Sequence, residues 1–283
     1  MKTYLSLFLF IVTTAAAAQE KFTLNVSMQP KRVYTTKSSI THSAEMYFAG
    51  DSTFMSQLEA SGMTLPLVVT GTNEMQATTT TGKRKKDKTI PATIVYDRMT
   101  NTQTMNGQTF SPDNSSFLGA VIEGSFDQNA RFNVDTIISE TLDDNARNVM
   151  LNLLKSLQQQ VAFPEYPIGV GDSFHQEVPL EVPVAGFQPM RMIIRSDFTL
   201  AKLTKDKAIF DVIQSVELAM DTEEGEFEGR VTGGGKGVTE FDRKKEIMTR
   251  FETDMTMTME MNFGEMTITA DATSQVLQTV EME

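Results

Sequence analysis

Few side chains in this sequence could carry out nucleophilic chemistry. The chain has no Cys, and its only histidines, His42 and His175, are the only imidazoles that could activate a serine. Both lie in segments with the pattern of β-strands, and no G-x-S-x-G nucleophile elbow occurs. We therefore predict no catalytic residue and a non-enzymatic protein.

Two clusters resemble binding motifs but lack the required spacing. Gly233-Gly234-Gly235-Lys236-Gly237 is similar to part of a phosphate-binding loop, yet Arg230 and Gly237 occupy positions that need Gly and Ser or Thr. The acidic residues between Asp221 and Glu228 do not follow the spacing of a calcium-binding EF-hand loop. We predict no metal and no cofactor. The glycines instead indicate a strand that another element approaches closely, and we expect that element to be a helix.

Methionine is the side chain with the most distinctive spacing. Met255, Met257, Met259 and Met261 alternate with Thr256, Thr258 and Glu260, so the four share one face of a strand. Methionine is flexible and polarisable, and it suits surfaces that adapt to apolar ligands. The hypothesis is that these residues line an apolar site for a hydrophobic or lipid-like ligand, together with Met266, Leu153 and Leu157. The alternative is that they fill an ordinary core.

The strands that position these residues are predicted from the same alternation. Gly264-Glu265 separates the methionine strand from a second alternating run, which starts at Met266, and the two form a predicted hairpin. Further strands are predicted at 22–27, 32–48, 65–80, 90–104, 117–122, 131–137, 190–200, 208–220 and 227–241. A short helix capped by Asp51 or Ser52 is predicted to end at Gly62. The strands after residue 163 follow one another as a meander.

One segment, residues 141–162, has the pattern of a long amphipathic helix. Its apolar residues recur at helical spacing, and they are Leu142, Ala146, Val149, Met150, Leu153, Leu157 and Val161. Thr141 is the predicted N-cap, and Pro164 ends the helix. Because a helix in a β protein must bury its apolar stripe, we expect Leu153 and Leu157 to pack against the C-terminal sheet.

The segment after this helix carries a motif seen elsewhere. Pro164 to Phe174 reads P-x-x-P-x-x-x-G-D-S-aromatic, and a Gly-rich strand later ends in Phe241-Asp242. From about Phe126 onward, the chain resembles an uncharacterised family of exported Gram-negative envelope proteins that share these features. The resemblance implies an envelope location and a helix-plus-meander architecture, and it implies no activity. The half-barrels of lipoprotein carriers are a looser architectural analogy.

The start of the chain predicts export. Lys2 precedes an apolar run from Leu5 to Val12, and Ala16-Ala17-Ala18 has the small residues of a signal-peptidase site, so residues 1–18 form a predicted signal peptide. Without Cys, the protein is not a lipoprotein and has no disulfide. The apolar run is too short to span a bilayer, and no later segment is a candidate transmembrane helix. We expect a periplasmic or extracellular protein.

The net charge of the chain limits the classes of partner that it could bind. A net charge of −12 argues against nucleic acid as a partner.

The predicted fold is mainly β, an antiparallel meander or half-barrel-like curved sheet that wraps one long helix. Residues 19–140 form a β-rich segment, 141–162 the helix and 163–283 the C-terminal meander, as one continuous domain or two packed lobes. The expected function is binding of an apolar ligand or an envelope protein. The alternatives are a structural scaffold with a filled core and a hydrolase that uses carboxylates alone.

Overall fold

The structure is a computed structural model that describes residues 20–60, 62, 64–111, 118–143, 147, 151, 163–182, 190–219, 228–264 and 266–283. Its strands are β1 Lys21–Phe22, β2 Val33–Ala49, β3 Leu67–Thr81, β4 Ile90–Met105, β5 Gln108–Phe110, β6 Val121–Phe126, β7 Phe132–Ile138, β8 Ile168–Gly169, β9 Ser173–Val182, β10 Met190–Leu203, β11 Lys207–Ala219, β12 Glu228–Asp242, β13 Ile247–Phe263 and β14 Met266–Met282. A short helix, α1, spans Ser52–Ala60.

Most of these strands form one antiparallel sheet that is not closed. The order is β7-β6-β4-β3-β2-β14-β13-β12-β11-β10-β9, with β5 beside β4, while β1 pairs with β8 separately. The prediction of a mainly antiparallel β protein is confirmed. Two meanders, β2 to β7 and β9 to β14, meet where β14 pairs with β2 from Met282↔Tyr34 to Thr267↔Ala49. This junction was not predicted from the sequence.

Several turns and the short helix were predicted correctly from adjacent residues in the sequence. In the hairpin between β13 and β14, Phe263 lies opposite Met266, and Gly264 has a φ of +62°. The N-terminus of α1 is capped, because the Asp51 Oδ1 atom accepts the Phe54 backbone N–H at 2.7 Å. The left-handed backbone of Gly62 follows the end of this helix. The predicted hairpin and short helix are therefore confirmed.

The predicted long helix, 141–162, falls almost entirely outside the described residues, and so do Leu153 and Leu157. Near its start, the Arg147 N–H donates to the Asp143 carbonyl at 3.0 Å, which is the spacing of a helical turn. Leu142 is buried, and Leu151 packs against the same cluster of residues. Residues 1–18 also lie outside the described part. Within that part, no helix is both long and apolar enough to cross a bilayer.

The strand register divides the sheet into two faces. Residues directly opposite each other on paired strands point to the same face, so the pairings can be followed across the sheet. One row runs from Phe210 on β11 to Met99 on β4, and it passes through Thr239, Phe251, Gln278, Ser38 and Met75. We call the side with this row the apolar face and the opposite side the polar face. The lower end of the sheet contains Val33 and Met282, and the upper end contains the β13–β14 hairpin.

Two clusters contain most of the buried apolar side chains, and both lie on the apolar face toward the lower end, while Leu67, Val216, Val231 and Ala270 are buried toward the upper end. The first cluster is built mainly on β9 to β12 and contains Phe22, Leu24, Ile168, Phe174, Phe198, Leu200, Ala208, Phe210, Val212 and Phe241. The second cluster is built mainly on β4, β6 and β7 and contains Ile90, Ala92, Ala120, Ile122, Phe126, Phe132, Val134, Ile137 and Leu142. The core is therefore concentrated at one end of the long strands.

The lower half of the sheet also contains its register shifts. Single extra residues interrupt the pairing of β3 with β4, of β6 with β7, of β10 with β11 and of β12 with β13. A β-bulge bends its strand and increases the local twist. On β4 the bulge leaves Asp97 and Arg98 exposed, and it places Tyr96 opposite Ala77 on the apolar face. Simple alternation along 90–104 did not predict this change of face.

The segment at residues 20–29, which we call the N-terminal strap, connects the two clusters. Phe22 and Leu24 are buried in the first cluster, Val26 packs against it, and Met28 packs against the second. Only Lys21 and Phe22 pair as a strand, so the strand predicted at 22–27 is wrong for most of its length. The apolar alternation there reflects side chains that enter the core from a segment outside the large sheet.

Hydrogen bonds hold the strap against the lower end of the sheet. The Ser27 N–H donates to the Glu246 carbonyl at 2.9 Å, and the Gln29 N–H donates to the Tyr34 hydroxyl at 2.7 Å. The Gln29 carbonyl accepts the Thr81 hydroxyl at 2.7 Å. These bonds attach the strap to both meanders, because Glu246 precedes β13 while Tyr34 and Thr81 lie on β2 and β3.

Candidate functional site

The G-D-S-aromatic motif forms a structural turn. The Gly169 N–H donates to the Asp172 carboxylate at 2.9 Å, and Lys21 lies 3.6 Å from the same oxygen. The Gly169 hydrogen bond, aided by the Lys21 charge, holds the pKa of Asp172 below its usual value. Phe174 stacks on Phe198 with ring centroids 4.9 Å apart. The motif therefore joins β8, β9 and the strap.

The residues considered for nucleophilic chemistry are not brought together. Ser173 is exposed, and its hydroxyl lies 2.8 Å from the Thr199 hydroxyl. His175 is exposed on the polar face of edge strand β9, whereas His42 is half-buried on the apolar face of β2. Within the described ranges, no group of three or more His, Asp or Glu residues is arranged to hold a metal ion.

The four methionines of β13 lie on the apolar face, toward its upper end. Met255, Met257, Met259 and Met261 are each half-buried. Neither buried cluster of the core includes any of them. The prediction that they share a face is confirmed by the register. The side chains with the lowest exposure lie nearer the lower end, while Val231 and Ala270, which lie opposite Met259 on the two neighbouring strands, are also buried.

Other strands contribute methionines to the same part of the apolar face. Met259 lies in one row with Ala270 and Met46, and Met257 in the next row with Ala272, Ala44, Val69 and Met105. We call this set the methionine surface, and its members are Met46, Met105, Met255, Met257, Met259, Met261 and Met266. Met46 and Met105 were missed from the sequence. The Ala44-x-Met46-x-Phe48 alternation indicated a shared face on β2 but could not show which strand would lie beside it.

The glycines of β12 give room to the methionines. Met257 Cγ lies 2.6 Å from the position that a Cβ on Gly233 would occupy, and Met255 Cγ lies 2.6 Å from the equivalent position on Gly235. The expectation of a close approach to these glycines is therefore correct. The expected visitor was a helix, and this is wrong for the nearest contacts, since the nearest atoms at both glycines belong to β13.

Small side chains lie on the other side of the β13 methionines. Ala270, Ala272 and Ser274 on β14 lie opposite Met259, Met257 and Met255, and Ala44 follows on β2. Because Met255 and Met257 lean toward the β12 glycines, they lean away from this strip. The side chains of this strip are shorter than those on β13 and β3 on either side of it. The strip extends about 13 Å along β14.

A depression of about 400 Å³ lies elsewhere, at the lower end of the sheet. Its lining includes Thr81, Lys85, Glu123 and Asp135 and contains no methionine. Three of its lining side chains, Lys85, Glu123 and Asp135, are charged, so this depression does not match the apolar site predicted from the methionine spacing. The predicted lining residues Leu153 and Leu157 lie outside the described residues, and whether they meet the methionine surface stays a prediction.

Comparisons with known proteins give no assignment. No protein-family model matches the sequence, and no curated protein matches it. Among solved structures, Pseudomonas aeruginosa OccK7 (OpdD) aligns with a TM-score of 0.25 and 8% identity over 89% of this chain and 99% of that one. Pseudomonas aeruginosa OpdQ aligns with a TM-score of 0.24 and 8% identity over 88% and 99%. Scores this low support no inference about the fold or function of this chain.

Proposed function

We propose that this protein is an exported, non-enzymatic envelope protein that binds a hydrophobic, lipid-like ligand on the methionine surface. The observation that supports this proposal is the separation of two apolar regions on one face of the sheet. The buried clusters occupy the lower end, and the side chains of the methionine surface at the upper end are only partly buried, with Met105 exposed. Export is supported by the signal-peptide pattern of residues 1–18.

The chemistry of methionine suits this role. Its unbranched side chain rotates easily and its sulfur is polarisable, so a surface of methionines can fit apolar molecules of varied shape. Apolar patches on a protein surface commonly mark binding sites. At the rim of the methionine surface, Met105 is 42% exposed and Phe110 is 46% exposed. Since Phe110 lies opposite Gln103, it belongs to the same face and extends the apolar region.

Ligand binding is tested by titrating the purified protein with a fluorescent fatty acid. Saturable uptake is expected for the wild type, and Met257→Trp should block it by filling the space above the small residues of β14. Thr258→Trp is the matched control, because Thr258 is the next residue on the same strand and is exposed on the polar face. Lipid extraction and mass spectrometry of the native protein would identify a co-purified ligand.

The scaffold alternative gives the opposite results. If the methionines pack as a filled core, the wild type takes up no probe, and Met257→Ala lowers the free energy of unfolding by about 2–5 kcal/mol. A ligand site predicts a small stability loss from Met257→Ala, since the space around the side chain is then already partly empty. Absence of saturable uptake at micromolar probe would reject the carrier proposal and favour the scaffold.

Export is tested separately by mass spectrometry of the protein from the envelope fraction. Cleavage after Ala18 should leave Gln19 as the first residue. Retention of Met1 to Ala18 on the native protein would reject export with cleavage, whatever the outcome of the ligand titration.

A further inference from the structure

A group of polar side chains interrupts the apolar face between the core and the methionine surface. His42 on β2, Asn73 on β3, and Asn101 and Gln103 on β4 are all half-buried there. Asn73 lies directly opposite Asn101, and Gly71 lies between His42 and Gln103 in the adjacent row. We call these four side chains the amide cluster. Polar groups placed in an apolar surface require hydrogen-bond partners, so their presence needs a reason.

Gly71 lets the imidazole of His42 lie across the sheet. The His42 Cε1 and Nε2 atoms are 2.5 Å and 2.6 Å from the position that a Cβ on Gly71 would occupy. Any larger residue at this position would displace the ring. The His42 side chain therefore reaches over β3 toward β4, where Gln103 flanks the same glycine.

Asn101 has an unsatisfied acceptor. Its Oδ1 atom is buried, and it has no hydrogen-bond partner among the described residues. A buried carbonyl oxygen without a donor is unfavourable, so buried acceptors are nearly always paired with protein, water or ligand.

The amide cluster is continuous with the methionine surface. His42, Ser274 and Met255 follow one another on adjacent strands, so His42 is two strands from Met255, which is roughly 10 Å. The small residues Ala44 and Ala272 occupy the next row toward the upper end. A ligand whose chain lies on these small residues would have its end beside His42, whose ring reaches over β3 toward β4, the strand of Asn101.

We infer that the amide cluster binds the polar end of the lipid-like ligand, and that this end is an uncharged group with a hydrogen-bond donor, such as a hydroxyl or an amide N–H. This inference rests on the proposed ligand-binding function. A donor is required because the free atom of Asn101 is an acceptor. An uncharged group is favoured because the cluster contains amides and an imidazole but no carboxylate, ammonium or guanidinium.

Two esters with the same acyl chain test the inference. The glycerol monoester of lauric acid carries two hydroxyl donors, whereas methyl laurate carries none, and each is used to displace the fluorescent fatty acid from the full chain. We expect the wild type to prefer the glycerol ester by about 3- to 10-fold, the contribution of one or two hydrogen bonds. Asn101→Leu should abolish this preference while methyl laurate still binds. Thr102→Val, on the polar face beside Asn101, should leave it intact.

A second variant covers the case in which Asn101→Leu does not fold. Gly71→Ala would place a Cβ where the His42 ring now lies and displace the ring into the cluster, so it should also reduce the preference. Equal displacement by both esters in the wild type would overturn this inference alone. A preference that persists in both variants would likewise overturn it. If neither ester nor the fatty acid binds, the proposed function itself fails.

Discussion

Gly234 and Gly235 are neighbours on β12, yet a side chain would meet different surroundings at each. A Cβ on Gly235 would lie 2.6 Å from Met255 Cγ and would clash with the Asp254 carbonyl oxygen. A Cβ on Gly234 would meet only the Gln214 carbonyl oxygen, at 3.3 Å. The difference arises because Gly235 lies on the apolar face, where β13 leans over it, and Gly234 lies on the polar face.

These contacts predict opposite results for two adjacent substitutions. Gly235→Val should lower the free energy of unfolding by about 1–3 kcal/mol, because either Met255 or the backbone of β13 must move. Gly234→Val should be far less harmful, since valine favours strands and only one contact is tight. Urea unfolding of both variants measures the difference. Equal stability of the two variants would show that β13 does not approach β12 as described.

At the same scale, the sequence predicted faces better than burial. Strict alternation placed Met255 to Met261 on one side of a strand, since that inference needs only the geometry of a single strand. Burial depends on the neighbouring strands, and these are far away in the sequence. His42 is an example of a residue whose surroundings could not be predicted from its own strand. The polar residues around His42 in the sequence predict a polar strand, but its cross-strand neighbour Gly71 and nearby Asn101 place it in a polar cluster on the apolar face.

Among the elements, the N-terminal strap contributes two buried side chains, Phe22 and Leu24, to the first core cluster. Phe22 is 8% exposed, and its ring centroid lies 6.5 Å from that of Phe210 and 6.2 Å from that of Phe241. The guanidinium of Arg243 lies 5.4 Å from the centre of the Phe22 ring. The strap thus supplies an aromatic side chain that the long strands surround but do not provide.

Removing this ring should destabilise the protein strongly. Phe22→Ala should lower the free energy of unfolding by about 3–5 kcal/mol, because it leaves a cavity among Phe210, Phe241 and their neighbours. Phe110→Ala is the control, since Phe110 is 46% exposed and little packing is lost. Thermal unfolding followed by circular dichroism compares the two. A melting temperature unchanged by Phe22→Ala would show that the strap is detached from the core.

An element is predicted well from the sequence when the residues that determine it are adjacent in the chain, and poorly when they lie on distant strands. Hairpins such as Lys202 to Lys207 depend on adjacent residues, and the structure has them at the predicted places. The strap was read as a strand because its alternation is the same whether the segment pairs or simply packs. Bulges were missed for a related reason, since an extra residue on β4 is recognisable only from the register with β3.

At the scale of the whole molecule, the pairing of β2 with β14 joins the two meanders. The register places Ser43 directly opposite Thr273 on the polar face, and Thr41 opposite Gln275. Paired Cα atoms in an antiparallel sheet lie about 4.5–5.5 Å apart, within the range of a disulfide. The chain has no cysteine of its own, so an introduced pair has no competing partner.

A disulfide should therefore form between Ser43→Cys and Thr273→Cys under mild oxidation. Since it closes a loop that includes most of the chain, it should raise the free energy of unfolding by up to about 5 kcal/mol. Thiol titration and urea unfolding measure both effects. The pair Thr41→Cys and Thr273→Cys, which is displaced along the strands, should oxidise much more slowly. Faster oxidation of the displaced pair would contradict the register.

The pairing of β2 with β14 also sets an order for folding during synthesis. Among the described strands, β2 is the first long one that the ribosome produces and β14 is the last, so the middle of the sheet cannot form until residues 266–282 have emerged. Until then both β2 and β13 present unpaired edges, which are prone to intermolecular pairing. Contacts this distant in sequence also make folding slow. The nascent chain should therefore stay incompletely folded for longer than a chain whose neighbouring strands all follow in order, and it should depend on binding by a chaperone during that interval.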